Sequence, residues 1–290
     1  MDSDAEQMLN MLENECNNRL HDLKFIDDTL YKEIGGYLNK KQTNTHTEYI
    51  SDIDYNFNLS NTNVDLKSLT AKLKKAWERQ KPFTMLLYGV SGSGKSYYAK
   101  YLAQELHLKF LKKKASDLVS KLVGETEKNI RDAFKEAEEL GAILVIDEAD
   151  SMLYDRSQAR QDFQVATVNE MLVQMETFKY PFICTTNLID KIDTASFRRF
   201  IFKIKFDYLP ENKVKNCIKY FFNKSTTSKQ LNKYKCTTAG DFFNIQRKLD
   251  ILNDNINTIS TKDILNSLQE ELQLKPDYKE NIKNSIGFKN

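Results

Sequence analysis

Apolar positions change their period as the chain is read from its first residue. Over residues 1–40, Met8, Leu12, Cys16, Leu20 and Leu23 recur at the spacing of one helix face. Lys41 to Asn63, dominated by Asn, Thr, Ser and Asp, reads as a polar linker. From Val64 the pattern strengthens: Leu66, Leu69, Leu73 and Trp77 form a second helix face, and strands and helices then alternate as far as Leu209. Met85–Tyr88, Ala142–Ile146, Phe182–Cys184 and Ile201–Phe206 are the expected strands. Phe163 to Phe178 carries Phe163, Val168, Met171, Leu172 and Met175 at helical spacing, a face expected to serve core and subunit packing. Beyond Pro210 only helical faces occur: Val214/Cys217/Ile218/Phe221/Phe222, Phe242/Ile245/Leu249/Leu252 and Ile264/Leu265/Leu268/Leu272. The expected organisation is a helical arm and linker in 1–63, an α/β lobe with a parallel sheet between helices in 64–209, and a small all-helical lid in 210–290.

Composition narrows this picture. A chain of 290 residues, 40% of them apolar, can bury one large core and one small one. The 43 basic and 41 acidic residues leave a net charge of +2, which gives no electrostatic reason to expect nucleic acid as a partner. No run approaches 18 apolar residues, and the acidic start Met1-Asp2-Ser3-Asp4 is unlike a cleaved leader, so neither membrane insertion nor secretion is expected. Cys16, Cys184, Cys217 and Cys236 lie far apart without a C-x-x-C pair and read as reduced thiols of a cytoplasmic protein.

The chemistry concentrates at strand ends. Gly89, Val90, Ser91, Gly92, Ser93, Gly94, Lys95 and Ser96 form a complete G-x-x-x-x-G-K-[ST] run between an expected strand and an expected helix, the context of a P-loop NTPase. Glycines allow backbone N–H groups to approach phosphate, and the helix adds the positive end of its dipole. Lys95 is expected on the β- and γ-phosphates, Ser96 on Mg²⁺, and Tyr97 beside the nucleotide. The apolar run Ala142–Ile146 ends at Asp147-Glu148, a Walker B pattern: Asp147 for Mg²⁺, Glu148 to orient and activate the attacking water. Asn187, at the end of the next strand, is expected to bond both the γ-phosphate and that water. Arg198 and Arg199 stand where a guanidinium would reach a neighbouring subunit's nucleotide.

The segment from Ala115 to Arg131, containing Lys121-Leu122-Val123-Gly124-Glu125, strongly resembles the "second region" of AAA-family ATPases, the group that contains katanin, spastin, valosin-containing protein and the FtsH protease. Together with Ile143 to Asp150, Thr185 to Asn187 and Arg198-Arg199, the likeness runs from about Val64 to the C-terminus. It implies a ring, usually a hexamer, with ATP and Mg²⁺ at each interface, acting on a protein partner. Lys121, Leu122, Val123 and Gly124 would then line a central pore, with Leu122 where many members carry an aromatic residue. The resemblance makes Tyr154 to Asp162 a second pore-facing loop, which reads equally well as a solvated surface loop. Arg198 and Arg199 match the arginine fingers without the usual Pro-Gly-Arg continuation. Thr238-Ala239-Gly240-Asp241 matches the start of a lid helix over the nucleotide, with Gly240 beside it and Asp241 either there or simply capping. Two functions are open: a ring ATPase that remodels, unfolds or disassembles a protein partner, or an ATP-dependent assembly switch or scaffold with slow hydrolysis and no threading.

Overall fold

The computed structural model describes residues 46–48, 53–120, 122, 124–153, 162–227, 231, 234–252 and 259–279. The expected helical arm lies outside the described residues, as do Lys121, Val123 and most of the loop from Tyr154. Residues from Thr45 onward form one compact unit.

Among the described residues seven strands make one sheet: β1 (His46–Glu48), β2 (Asn61–Thr62), β3 (Thr84–Gly89), β4 (Lys109–Lys114), β5 (Ala142–Asp147), β6 (Phe182–Thr186) and β7 (Phe202–Asp207). Their spatial order is β1-β4-β5-β6-β3-β7-β2. The five inner strands run parallel, and the two edge strands run antiparallel to their neighbours. Both edges come from the stretch expected to be a polar linker. Their short, polar sequences cap the sheet and discourage further pairing.

Successive residues of an inner strand point to opposite faces, and each face has its own core. On one, Leu86, Leu144, Ile146 and Phe182 pack against helix α4 (Glu125–Leu140) and helix α5 (Asp162–Thr177) through Ile130, Phe134, Val168 and Met171. On the other, Met85, Leu87, Val145 and Ile183 meet helix α1 (Leu66–Glu78) and helix α2 (Lys95–Glu105) through Leu73, Tyr98 and Leu102. β5 is covered on both faces, which is why its sequence is a continuous apolar run. Each such Leu or Phe contributes about 1.5–3 kcal/mol of burial. Two short helices, α3 (Ala115–Leu118) and α6 (Thr194–Arg199), complete this part.

A separate core unites α7 (Glu211–Phe222), α8 (Ala239–Leu252) and α9 (Thr261–Leu274) around Cys217, Ile218, Phe242, Ile245, Ile264 and Leu268. Leu252, expected on the buried face of α8, is 68% exposed, as is its neighbour Ile251 at 79%.

Candidate nucleotide site

The register of the sheet brings three strand ends to one edge. Leu87 and Tyr88 of β3 pair with Thr185 and Thr186 of β6, and Ile146 of β5 pairs with Cys184. The loop after β3, the acidic pair after β5 and the polar end of β6 therefore share one border of the sheet, the border where open α/β sheets bind ligands. A cavity of about 310 Å³ lies there, lined by Ser91 to Tyr97, Asp147, Glu148 and Thr185 to Asn187.

Close packing dictates the glycines of the loop. Gly89 has φ +118°, and a Cβ on it would sit 2.0 Å from the carbonyl oxygen of Phe206 in β7. Gly94, with φ 96°, is the N-cap of α2, so the helix opens toward the cavity with its first N–H groups uncovered by any side chain. That geometry suits phosphate.

Lys95 is buried, and its Nζ donates to the carbonyls of Gly89 (2.9 Å) and Val90 (2.8 Å) and to Oδ1 of Asn187 (2.7 Å). Burial lowers its pKa to about 8, with Asp147 pulling weakly the other way. Asn187, itself exposed, is thus joined to the P-loop lysine across two strands. Oδ1 of Asp147 accepts from Ser96 Oγ at 3.0 Å and from Thr185 Oγ1, and Lys112 Nζ lies 2.5 Å from Oδ2. Burial acts to raise the Asp147 carboxyl's pKa, but Lys112, Thr185 and Ser96 outweigh it and hold the group below the usual carboxylate range. A hydroxyl and a carboxylate at this separation fit the protein's share of a Mg²⁺ site, whose other ligands are phosphate and water. Glu148 is exposed on the cavity wall with φ +58°, and its N–H donates to Thr185 Oγ1 at 3.3 Å. A left-handed backbone at a non-glycine residue is uncommon, and here it turns the chain sharply between the two carboxylates.

A second cavity, of about 700 Å³, adjoins the first at Gly92 to Gly94 and Tyr97 and is closed by Tyr220, Phe221, Gly240, Phe243 and Gln246 of the helical part and by Asp54 to Asn56. Gly240 N–H donates to the Gly92 carbonyl at 2.9 Å, and a Cβ on Gly240 would meet that oxygen at 2.9 Å. The P-loop and the start of α8 therefore touch through backbone. Asp241 caps this helix: its Oδ2 accepts from Thr238 N–H (2.7 Å), Thr238 Oγ1 (3.1 Å) and Lys275 Nζ (2.7 Å).

Arg198 and Arg199 are not brought to this site. The Arg199 carbonyl accepts from Thr84 Oγ1 at 2.7 Å, at the start of β3, whereas the P-loop follows its end. Five residue steps at about 3.3 Å place these points ~17 Å apart. The guanidinium of Arg199 is paired with Glu176, while Arg198 is exposed and makes no ion pair among the described residues. Leu122 is 68% exposed, with Gly124 just beyond it as the N-cap of α4.

Several site residues escape a reading by motif. Lys112 sits in a strand spelled Lys-Phe-Leu-Lys-Lys-Lys, and Asp54 to Asn56 lie in the polar stretch before the α/β lobe. Only the fold brings Lys112 to Asp147, and the run from Asp54 to Asn56 to the larger cavity.

Residues 85–208 match the protein family described as ATPase family associated with various cellular activities (AAA). The protein SUPPRESSOR OF K(+) TRANSPORT GROWTH DEFECT 1 of Arabidopsis thaliana is 37% identical over 137 residues, 45% of this chain and 31% of that protein. Proteasome-activating nucleotidase 1 of Haloferax volcanii is 35% identical over 125 residues, 40% of this chain and 31% of that protein. Spastin of Homo sapiens is 35% identical over 127 residues, 41% of this chain and 21% of that protein. The chain thus spans less than a third of the length of these relatives. What the comparisons show is therefore an AAA ATPase domain match over residues 85–208.

Proposed function

We propose that this chain is a Mg²⁺-dependent ATPase that assembles head to tail into a ring, a hexamer, and turns hydrolysis into remodelling of a protein partner. The observation that carries the reading is the convergence of Lys95, Asn187, Ser96, Asp147 and Glu148 on one cavity from three strand ends. One relative is by name a nucleotidase. In this reading the N–H groups at the start of α2 and Lys95 hold the phosphates, and Ser96 and Asp147 hold the cation, which when bound neutralises developing phosphate charge. Glu148 takes a proton from the attacking water, and Asn187 holds that water and the γ-phosphate in line.

Arg198, too far from its own P-loop and without a partner among the described residues, supports a finger offered to a neighbouring subunit. The exposed Leu122 supports contact with a polypeptide at the pore, because an apolar side chain held in water gains by covering an extended chain. Among the described residues no helix is long and apolar enough to cross a membrane, and Cys184 and Cys217 are buried free thiols, which suits the reducing cytoplasm.

Glu148→Gln tests the reading. The variant should bind ATP as the parent does and lose turnover by about 10²–10⁴-fold, as expected when a general base is removed. Unchanged turnover would remove Glu148 from that role.

A further inference from the structure

The larger cavity is built for a flat aromatic ligand. Tyr97 of α2, Tyr220 of α7 and Phe243 of α8 come from three separate elements, and each is 49% exposed beside the same cavity. Exposed rings converging on one space are costly to maintain in water and offer stacking faces to a planar base. Stacking accepts any base, so selection among bases must come from a polar group at the edge of the ring.

Most polar side chains around the cavity are already committed. Asn56 Oδ1 accepts from the N–H of Asn58, Ser60 Oγ is bonded to Tyr55, and Ser93 Oγ donates to the Val90 carbonyl. Asp54 is exposed at the rim. Gln246, like Asn56, keeps one end of its amide open, and it is carried by the helical part on the same helix as Phe243. Its Nε2 donates to the carbonyl of Phe221 at 2.7 Å. A carbonyl can only accept, so this bond fixes which end of the amide is nitrogen and leaves Oε1 as an acceptor with no bond among the described residues. Helix α8 carries this amide over the cavity, and the Gly240–Gly92 backbone contact holds the helix to the P-loop.

We propose that Gln246 reads the base of the bound nucleotide, its fixed amide oxygen accepting from a 6-amino purine and rejecting a 6-oxo purine, which would face it with a second acceptor. The inference rests on the nucleotide-binding reading of the adjoining P-loop. It makes Gln246 a specificity residue of the site rather than a participant in hydrolysis.

The test is equilibrium binding of ATP and of inosine triphosphate, which differ at the 6-position, to the full chain and to Gln246→Leu and Gln246→Lys. The parent should prefer ATP by about tenfold or more. Gln246→Leu should weaken ATP by a similar factor and leave inosine triphosphate no weaker than in the parent. Gln246→Lys, whose ammonium can serve Phe221 and still donate, should shift preference toward the 6-oxo base. An ATP preference that survives Gln246→Leu overturns the proposal, as does an equal loss for both nucleotides, which would mark a purely structural role. Equal affinities in the parent also overturn it while leaving the P-loop reading intact; failure of the parent to bind either nucleotide overturns that reading itself.

Discussion

Lys95 is an ammonium enclosed by two backbone carbonyls and an amide oxygen, with no carboxylate in contact with it among the described residues. Burial brings its pKa from 10.5 to about 8. A lysine whose folded pKa lies below its unfolded value carries fewer protons folded than unfolded across that interval. Its contribution therefore makes the nucleotide-free protein more stable as pH rises from about 8 to about 10.5, and the stability is lost again as pH falls through 8. Phosphate oxygens reverse the balance by favouring the charged form. ATP binding at pH 8 should accordingly take up roughly half a proton. Calorimetry in buffers of different ionisation heat reads this directly, and Lys95→Met should abolish it. Binding without any buffer dependence would mean that Lys95 is already fully charged in the free protein. At this scale the sequence was informative where chemistry is contiguous: eight successive residues specify the P-loop because one turn between strand and helix makes the whole cradle. Lys112 and Thr185 reach Asp147 from two other strands, and nothing local to either announces it.

Among the elements, β5 was legible because it is buried on both faces and α1 because its apolar residues recur along one face, whereas β4 was not. Its lysines are accommodated by partners distant in sequence: Lys113 pairs with Glu136 of α4 at 2.8 Å and Lys112 with Asp147 of β5. Edge strands β1 and β2 are too short and polar for periodicity to detect. Helix α8 shows how an element can tie stability to the site. Asp241 closes its first turn and binds Lys275, whose Nζ also donates to the Cys236 carbonyl at 3.0 Å. Asp241→Ala removes the cap and strands the lysine, at a cost of about 2–3 kcal/mol. Chemical denaturation should show that loss. Lys275→Met added to Asp241→Ala should cost less than Lys275→Met alone, since the pair is already broken. ATP affinity should fall as well, because the same turn donates Gly240 N–H to the P-loop. Stability lost with affinity preserved would show that the turn stays on Gly92 without its cap.

For the molecule as a whole, the decisive geometry is the separation of the two arginines from the P-loop along the length of β3. Both ends of the strand are fixed: Arg199 is bonded to Thr84 at one end, and Gly89 is pressed against Phe206 at the other. No side-chain rotation of Arg198 spans that distance, so a chain that uses it on phosphate must borrow it from a neighbour, and a contact of that kind is head to tail, the kind that builds a ring when the rotation between subunits closes. The pairing of Arg199 with Glu176 separates roles that the sequence alone left joined. Arg198→Ala should lower turnover by about 10³-fold with ATP still bound, and Arg199→Ala should lower it less. Mixing gives the sharper outcome. Arg198→Ala subunits keep Glu148 but offer no finger, and Glu148→Gln subunits offer the finger but cannot activate water. Each is nearly inactive alone. In an equal mixture that exchanges subunits, one interface in about four joins an intact Glu148 to an intact Arg198, so roughly a quarter of parent turnover should return. Turnover that stays at the level of the separate variants, with mixed assemblies demonstrated by mass, would place Arg198 outside the reaction.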